Sequence, residues 1–128
     1  MSQTSVIRGH LGNQWEEITI NWLSKADGSY TEVVPVNGYV VQAEFVPSGT
    51  NAPSDNYGVT LLDAYGFDVL CGVGASQSTN TVKRKTPGVT ISDGTNNATV
   101  PPLASGNHTL TIASAGAGKQ GAVVLLVK

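Results

Sequence analysis

Apolar residues recur at every second position through much of this chain, and Gly, Pro, Asn or Asp interrupts the pattern roughly every 12 to 16 residues. A strand sends successive side chains to opposite faces, so this period predicts half-buried β-strands. In Tyr39-Val-Val-Gln-Ala-Glu-Phe-Val, residues Tyr39, Val41, Ala43 and Phe45 are expected on one face, with Gln42 and Glu44 on the other. Asn37-Gly38 breaks the pattern before it, and Pro47-Ser-Gly-Thr-Asn-Ala-Pro-Ser-Asp-Asn after it is expected to form an exposed loop. Val59-Thr-Leu-Leu-Asp and Phe67-Asp-Val-Leu-Cys flank Ala64-Tyr-Gly, which predicts a hairpin with Gly66 at positive φ. Gly88-Val-Thr-Ile-Ser alternates up to Asp93-Gly94, and His108-Thr-Leu-Thr-Ile-Ala alternates with Leu110 and Ile112 inward. Ala122-Val-Val-Leu-Leu-Val is a continuous apolar run, expected as a central strand covered on both faces.

One segment supports two periods. Asn13 followed by Glu16 mimics a helix capping box, and Trp15, Ile18 and Trp22 would share a helical stripe. The β-branched Ile18-Thr-Ile and the period-two set Ile18, Ile20 and Trp22 favour a strand. Tyr30 to Val34, ending at Pro35, adds another. About eight strands and no long helical pattern leave no crossovers for a parallel sheet. The expected fold is therefore all-β, an antiparallel β-sandwich of jelly-roll or Greek-key type. Composition agrees: charged residues are only 12%, and 48 of the 128 residues are Gly, Thr, Ser or Asn, unlike a helical bundle. A chain of this mass buries about two thirds of its unfolded surface, enough for one core. Residues 15–128 are expected as one domain, preceded at 1–14 by a polar segment readable either as an arm that orders against a partner or as a frayed terminus.

Little of the sequence suits catalysis. Gly116-Ala-Gly-Lys-Gln-Gly resembles a phosphate loop only superficially, because Ala113 stands where the first Gly belongs and Gln120 where magnesium needs Ser or Thr. It reads as a Gly-rich hairpin between the strands around Leu110 and Val124. His10 and His108 lack partners at metal-ligand spacing, and His108 is expected at a solvated strand start. Gly74-Ala-Ser-Gln-Ser has Ser78 in place of the second Gly of a nucleophile elbow. Asp63 and Asp68 flank a predicted turn, and paired acids serve glycoside hydrolysis, but two solvated turn acids are the simpler expectation. Cys71, the single cysteine, reads as a small buried residue. No enzyme, cofactor or metal is expected. The net charge of −2 gives no broad attraction to nucleic acid. No secretory signal or membrane-length apolar run is visible, so synthesis in the cytoplasm is expected. Asn97-Ala-Thr and Asn107-His-Thr match the glycosylation pattern, which carries little weight without such a signal.

Several features suit binding. Lys83-Arg84-Lys85 is a local +3 in an acidic chain, readable as a contact with an acidic protein or as a solvated edge that discourages aggregation. Trp15 and Trp22 are expected in the core, while Tyr57 and Tyr65, each beside Gly in predicted loops, are expected as exposed contacts. Ser2, Gln3, Thr4, Ile7 and Arg8 are the candidate contact residues of the arm.

The run Val59-Thr-Leu-Leu-Asp-Ala-Tyr-Gly-Phe-Asp-Val-Leu-Cys-Gly-Val-Gly-Ala resembles a pattern in small tailed-bacteriophage virion proteins, a strand ending in "TLLD" that turns through "xxGxD" into "VLxGxGA". The end of the chain is similar too, with a Pro102-Leu103 turn, the strand Leu110-Thr-Ile, a Gly-rich turn carrying Lys119 and a last apolar strand. Val36-Asn-Gly-Tyr, running to Phe45-Val-Pro, resembles the family's "NGY" strand and "FxP" stop. These cover most of 36–128, while 1–35 has no comparable match. Turn glycines and core strands make up most of the likeness, which therefore bears on fold more than on any site.

The resemblance implies a virion structural protein, and within that class a capsid decoration (cement) protein built as a jelly roll. Such a protein sits on the outside of the head, holds neighbouring major capsid subunits together and forms a homo-oligomer, here expected as a dimer or trimer. Added interface is sufficient for that work and no membrane or nucleic acid is implied. Residues 1–14 and Lys83 to Lys85 are then expected near subunit contacts. Rival readings are a tail or head-tail connector, which rings of six or twelve would favour, and a carbohydrate- or receptor-binding module, which would need Tyr57 and Tyr65 exposed together.

Overall fold

The chain passes back and forth between two antiparallel sheets, so that most consecutive long strands lie in different layers. A computed structural model describes residues 6–10, 15–92, 94–95 and 97–128. All regular structure in them is extended: β1 (Val6–His10), β2 (Glu16–Leu23), β3 (Tyr30–Pro35), β4 (Gly38–Pro47), β5 (Gly58–Leu62), β6 (Lys83–Lys85), β7 (Val89–Ser92), β8 (Asn97–Val100), β9 (Leu103–Ala104), β10 (Asn107–Ala113) and β11 (Gln120–Val127). The larger sheet has the order β1-β2-β11-β4-β6, with β9 paired to the start of β4. The smaller has the order β3-β10-β5, and β7 and β8 form a separate two-stranded ribbon. The fold is all-β and its sheets are antiparallel, curling into a half-barrel.

Period two builds the core. Ile18, Ile20 and Trp22 of β2 face Leu125, Val123 and Gly121 of β11, and the first two pairs are buried together with Trp22. The smaller sheet contributes Val59 and Leu61 of β5, Leu110 and Ile112 of β10, and Val34 of β3 to the same apolar cluster. Each such side chain is worth about 1.5–3 kcal/mol on burial. Trp15–Leu23 therefore resolves in favour of a strand, with Trp22 in the core. Trp15 precedes the strand, is half-buried and carries the Lys128 ammonium 5.1 Å from its ring centre.

Several expectations need correction. In β4 the register against β11 slips between Leu126 and Val127, so that Gln42 pairs with Leu126 but Val40 with Val127. The extra residue, Val41, reverses the alternation: Val40 is buried and Tyr39 exposed. His108 is buried, because its parity with Leu110 and Ile112 puts it inward opposite Val34. Its Nδ1 lies 2.8 Å from the Gly106 carbonyl oxygen. The Gly-rich segment 114–119 is no hairpin, since β10 and β11 belong to different sheets. It is a crossover held by Ser24, whose hydroxyl donates to the Gly116 carbonyl and accepts from the Lys119 amide. The run Ala122–Val127 is central, between β2 and β4, but only Val123, Leu125 and Val127 are buried. The alternate residues Ala122, Val124 and Leu126 are half-buried on the outer face.

The edges of the sheets are closed in different ways. Residues 6–10, assigned to an arm from sequence, form β1 against β2. Arg8 on β1 pairs with Glu16 and donates to the Pro35 carbonyl oxygen of β3, tying the two sheets together. Along β5 runs the segment 68–77, which bonds Val69 to Leu61, Val59 to Gly74 and Gln77 to Tyr57. The expected second hairpin strand is thus a series of turns. Asp68 organises them: one carboxylate oxygen accepts from the Leu61 and Leu70 amides at 3.0 Å, the other from Gly72 at 3.1 Å.

A candidate partner-binding end

The registers sort the loops into two ends. The β3–β4 turn, the β9–β10 turn, the turn after β5 and both roots of the β7–β8 ribbon lie at the end where β4 begins and β11 finishes. The segments 24–29, 48–57 and 114–119 lie at the other.

The first end carries the ribbon. β7 and β8 pair Val89 with Val100, Thr90 with Thr99 and Ile91 with Ala98, and neither strand bonds to another sheet. An isolated two-stranded ribbon is marginal in water. Thr90, Ala98, Thr99 and Val100 are exposed on it. Its roots are fixed: Pro87 and Pro102 are buried, the Val40 amide donates to the Pro102 carbonyl oxygen, and a Cβ on Gly88 would come within 2.2 Å of the Thr99 methyl.

Beside it stands a turn whose shape is set by Asp63. The Asp63 Oδ1 accepts from the Tyr65 amide at 2.9 Å and from the Phe67 amide at 3.0 Å. Gly66 supplies the required left-handed residue at φ 85°. Tyr65 is left 97% exposed and Phe67 is also exposed. The cross-strand pair Tyr39 and Leu103, exposed by the β4 bulge, adds a second apolar spot at this end. Fixing an aromatic on a rigid turn lowers the entropy lost on association.

The other residues singled out in the sequence are dispersed. Ser2, Gln3 and Thr4 lie outside the described residues. Ile7 and Arg8 are on β1 and Lys83, Arg84 and Lys85 on β6, at opposite edges of the larger sheet, so these two sets do not form one surface. Arg84 is bound to Glu44 on β4, while Lys83 and Lys85 make no ion pair among the described residues. The edge position fits the reading of this run as a protected sheet margin.

Tyr57 corrects an expectation outright: it is 1% exposed, with its ring 5.6 Å from that of Trp22. Its bridge to Gln77 at the start of β5 turns it inward. Burial pushes its phenol up to about 12. Cys71 is half-buried at φ 53°, and burial first, then the Asp68 carboxylate, raises its thiol pKa. Asp68 uses both carboxylate oxygens, and Asp63 its Oδ1, to accept from backbone amides, so both acids shape turns. Among the described residues no cluster of three or more His, Cys, Asp or Glu is placed to hold a metal ion. Nor is there, among the described residues, a helix long and apolar enough to cross a membrane.

Comparison with protein-family models, curated proteins and solved structures yields no match. The functional reading therefore rests on this chain's own sequence and geometry. Sequence reasoning found β7 in Gly88-Val-Thr-Ile-Ser but missed its partner β8, and with it the ribbon bracketed by Pro87-Gly88 and Pro101-Pro102, as well as the pairing of Tyr39 with Leu103, which a bulge creates.

Proposed function

We propose that this chain is a capsid decoration (cement) protein of a tailed bacteriophage, docking on the outside of the head through the end that carries the ribbon. The observation that carries the reading is the β7–β8 ribbon itself, a marginal element that joins neither large sheet among the described residues and turns Thr90, Ala98, Thr99 and Val100 to solvent. Pressed onto a lattice of major capsid subunits, it gains the cover it lacks, and the fixed Tyr65–Phe67 turn inserts as an aromatic anchor. Cementing needs added interface and no chemistry. The motif resemblance over 36–128 supports the class.

Strand order supports a jelly roll. The larger sheet reads β2-β11-β4-β6 inside its β1 edge, and the smaller reads β3-β10-β5 followed by the 68–77 segment, with the chain switching layer from β2 to β3, β3 to β4, β4 to β5 and β10 to β11. Layers filled in that order suit the double-sheet arrangement used for viral shells and lectins. The protein then resides on the virion after synthesis in the bacterial cytoplasm, as a dimer or trimer at lattice symmetry points.

The test uses heads assembled without the protein. Purified chain should restore occupancy and resistance to heat. A variant in which a short Gly-Ser link replaces residues 89–100 should bind at least tenfold more weakly, as should Tyr65→Ala, while both retain the native melting temperature within a few degrees. Full occupancy by both variants would sink the assignment of this end.

A further inference from the structure

Two of the four margins of the large sheets are guarded. β6 ends the larger sheet with three cationic residues, and the segment 68–77 lies along β5. The other two margins, β1 and β3, meet at a seam. No ladder joins them among the described residues, and Arg8 reaches across to the Pro35 carbonyl oxygen. An arginine side chain and one hydrogen bond together span about two strand spacings, roughly 9–10 Å, the room that a single strand needs.

Backbone parity shows what the seam offers. Successive strand residues turn their N–H and C=O groups to opposite edges. The Ser24 amide bonds the Lys119 carbonyl oxygen, so even-numbered residues of β2 serve β11 and odd-numbered ones serve β1. Ile7 and Gly9 therefore bond to β2, while Val6, Arg8 and His10 turn their backbone groups to the seam. On the other side the Val36 amide bonds the Gly106 carbonyl oxygen, which by the same alternation leaves Thr31, Val33 and Pro35 facing the seam. The Arg8 bond to Pro35 agrees with this parity. β1 finishes opposite Glu16 and β3 opposite Asn107, so both strands run toward the ribbon end. One strand placed between them would be antiparallel to both. Ile7 and Val33 flank the seam with side chains turned away from the core, 58% and 57% exposed.

We infer that the seam between β1 and β3 is a strand-addition site for an extended segment of a major capsid subunit. The inference rests on the docking reading, which puts the lattice at the end toward which both strands run, so that a segment rising from the lattice enters beside His10 and Pro35. The chemistry selects a polypeptide, because a β-strand alone presents N–H and C=O groups with the right period along both of its edges. Apolar residues at its alternate positions cover Ile7 and Val33. It needs no charge for Arg8, whose guanidinium already holds the Glu16 carboxylate. A second copy does not supply such a strand from its described residues, since each of its strands has at least one edge already paired. On entry the segment takes the Pro35 carbonyl oxygen from Arg8 and bonds to both sheets at once.

Hydrogen exchange of the full chain, free at two concentrations and bound to heads, then read by NMR after quenching and release, tests this. In the free chain the Arg8, His10, Thr31 and Val33 amides should exchange fast, while Ile7, Gly9, Glu32 and Val34 between them are protected. On heads the first four should slow at least tenfold. Val33→Pro, which removes an N–H that faces the seam and leaves the β10 ladder whole, should weaken head binding at least threefold with the melting temperature kept. Fast exchange at all four on heads, with the ribbon protected, would overturn the strand addition and leave the docking reading standing. Slowing at the four with an unprotected ribbon would support the seam and refute the docking end. Protection of the four in the free chain would also overturn the proposal, pointing to a second copy if it grows with concentration and to the chain's own residues if it does not.

Discussion

Replacing Gly121 by alanine tests the contact that closes one end of the core. Gly121 sits in the interior of β11 directly opposite Trp22, and the indole lies on its backbone. A Cβ there would be 2.5 Å from Trp22 Cζ2, 2.8 Å from Cε2 and 2.9 Å from the Val46 carbonyl oxygen. Carbon atoms in contact prefer about 3.5–4.0 Å, so the ring would have to retreat by roughly 1 Å. It has little room, being 2% exposed with the Tyr57 ring centred 5.6 Å away. Overpacking of this kind costs about 1–3 kcal/mol, and alanine recovers about 0.5–1 kcal/mol of the entropy penalty of glycine in a strand. A net loss of about 0.5–2 kcal/mol remains. With an unfolding entropy of about 0.27 kcal/mol/K for a chain of 128 residues, the melting temperature should fall by about 2–7 °C. Thermal melts followed by circular dichroism and by tryptophan fluorescence read this directly. Gly49→Ala, at a position with open space around its Cβ, serves as the control and should not lower the transition. A Gly121 variant that melts within 1 °C of the native chain, or an equal fall in the control, would refute the packing argument.

Two further substitutions test buried polar groups. Tyr57→Phe should be neutral or stabilising by up to about 1 kcal/mol at pH 7 in chemical denaturation, because the buried hydroxyl has no hydrogen-bond partner among the described residues. The folded-state phenol is raised to about 12 from an unfolded value near 10, so native stability is full below pH 10 and is lost as pH climbs from 10 to 12, by at most about 2.7 kcal/mol. The phenylalanine variant should lack that part of the alkaline loss, and identical pH profiles would contradict it. Asp68→Asn should cost about 1–3 kcal/mol, since an amide retains one acceptor oxygen for the three backbone N–H groups that the carboxylate serves, and hydrogen exchange at Leu61, Leu70 and Gly72 should rise with it.

Alternation alone located the strands that face the core. The sets Ile18, Ile20, Trp22 and Leu110, Ile112 stand where period two put them, because a one-residue slip would turn every one of them to solvent. What escaped the pattern has specific causes. A bulge at Val41 reverses parity within a single strand, and nothing local in Tyr39-Val-Val-Gln announces it. Tyr57 and His108 were assigned outward from neighbouring Gly and Asn, yet long-range pairing with Gln77 and Val34 turned them in. β6, β8 and β9 are two to four residues long, shorter than any window in which period can be read. The Gly-rich segment at 114–119 reads as a hairpin from its composition, but whether such a turn joins neighbours in one sheet or crosses between two is a property of the whole topology. Of the two loop tyrosines, Tyr65 stands exposed as its place beside Gly66 suggests, held there by Asp63 two residues earlier.

A reconstruction of the assembled head at a resolution that shows strands tests the central claim most directly. The account predicts density for this fold on the outer surface, with the β7–β8 ribbon and the Tyr65–Phe67 turn buried against major capsid subunits and segments 24–29 and 114–119 facing away. Heads that lack the density, or that carry it with the ribbon pointing into solvent, would contradict it.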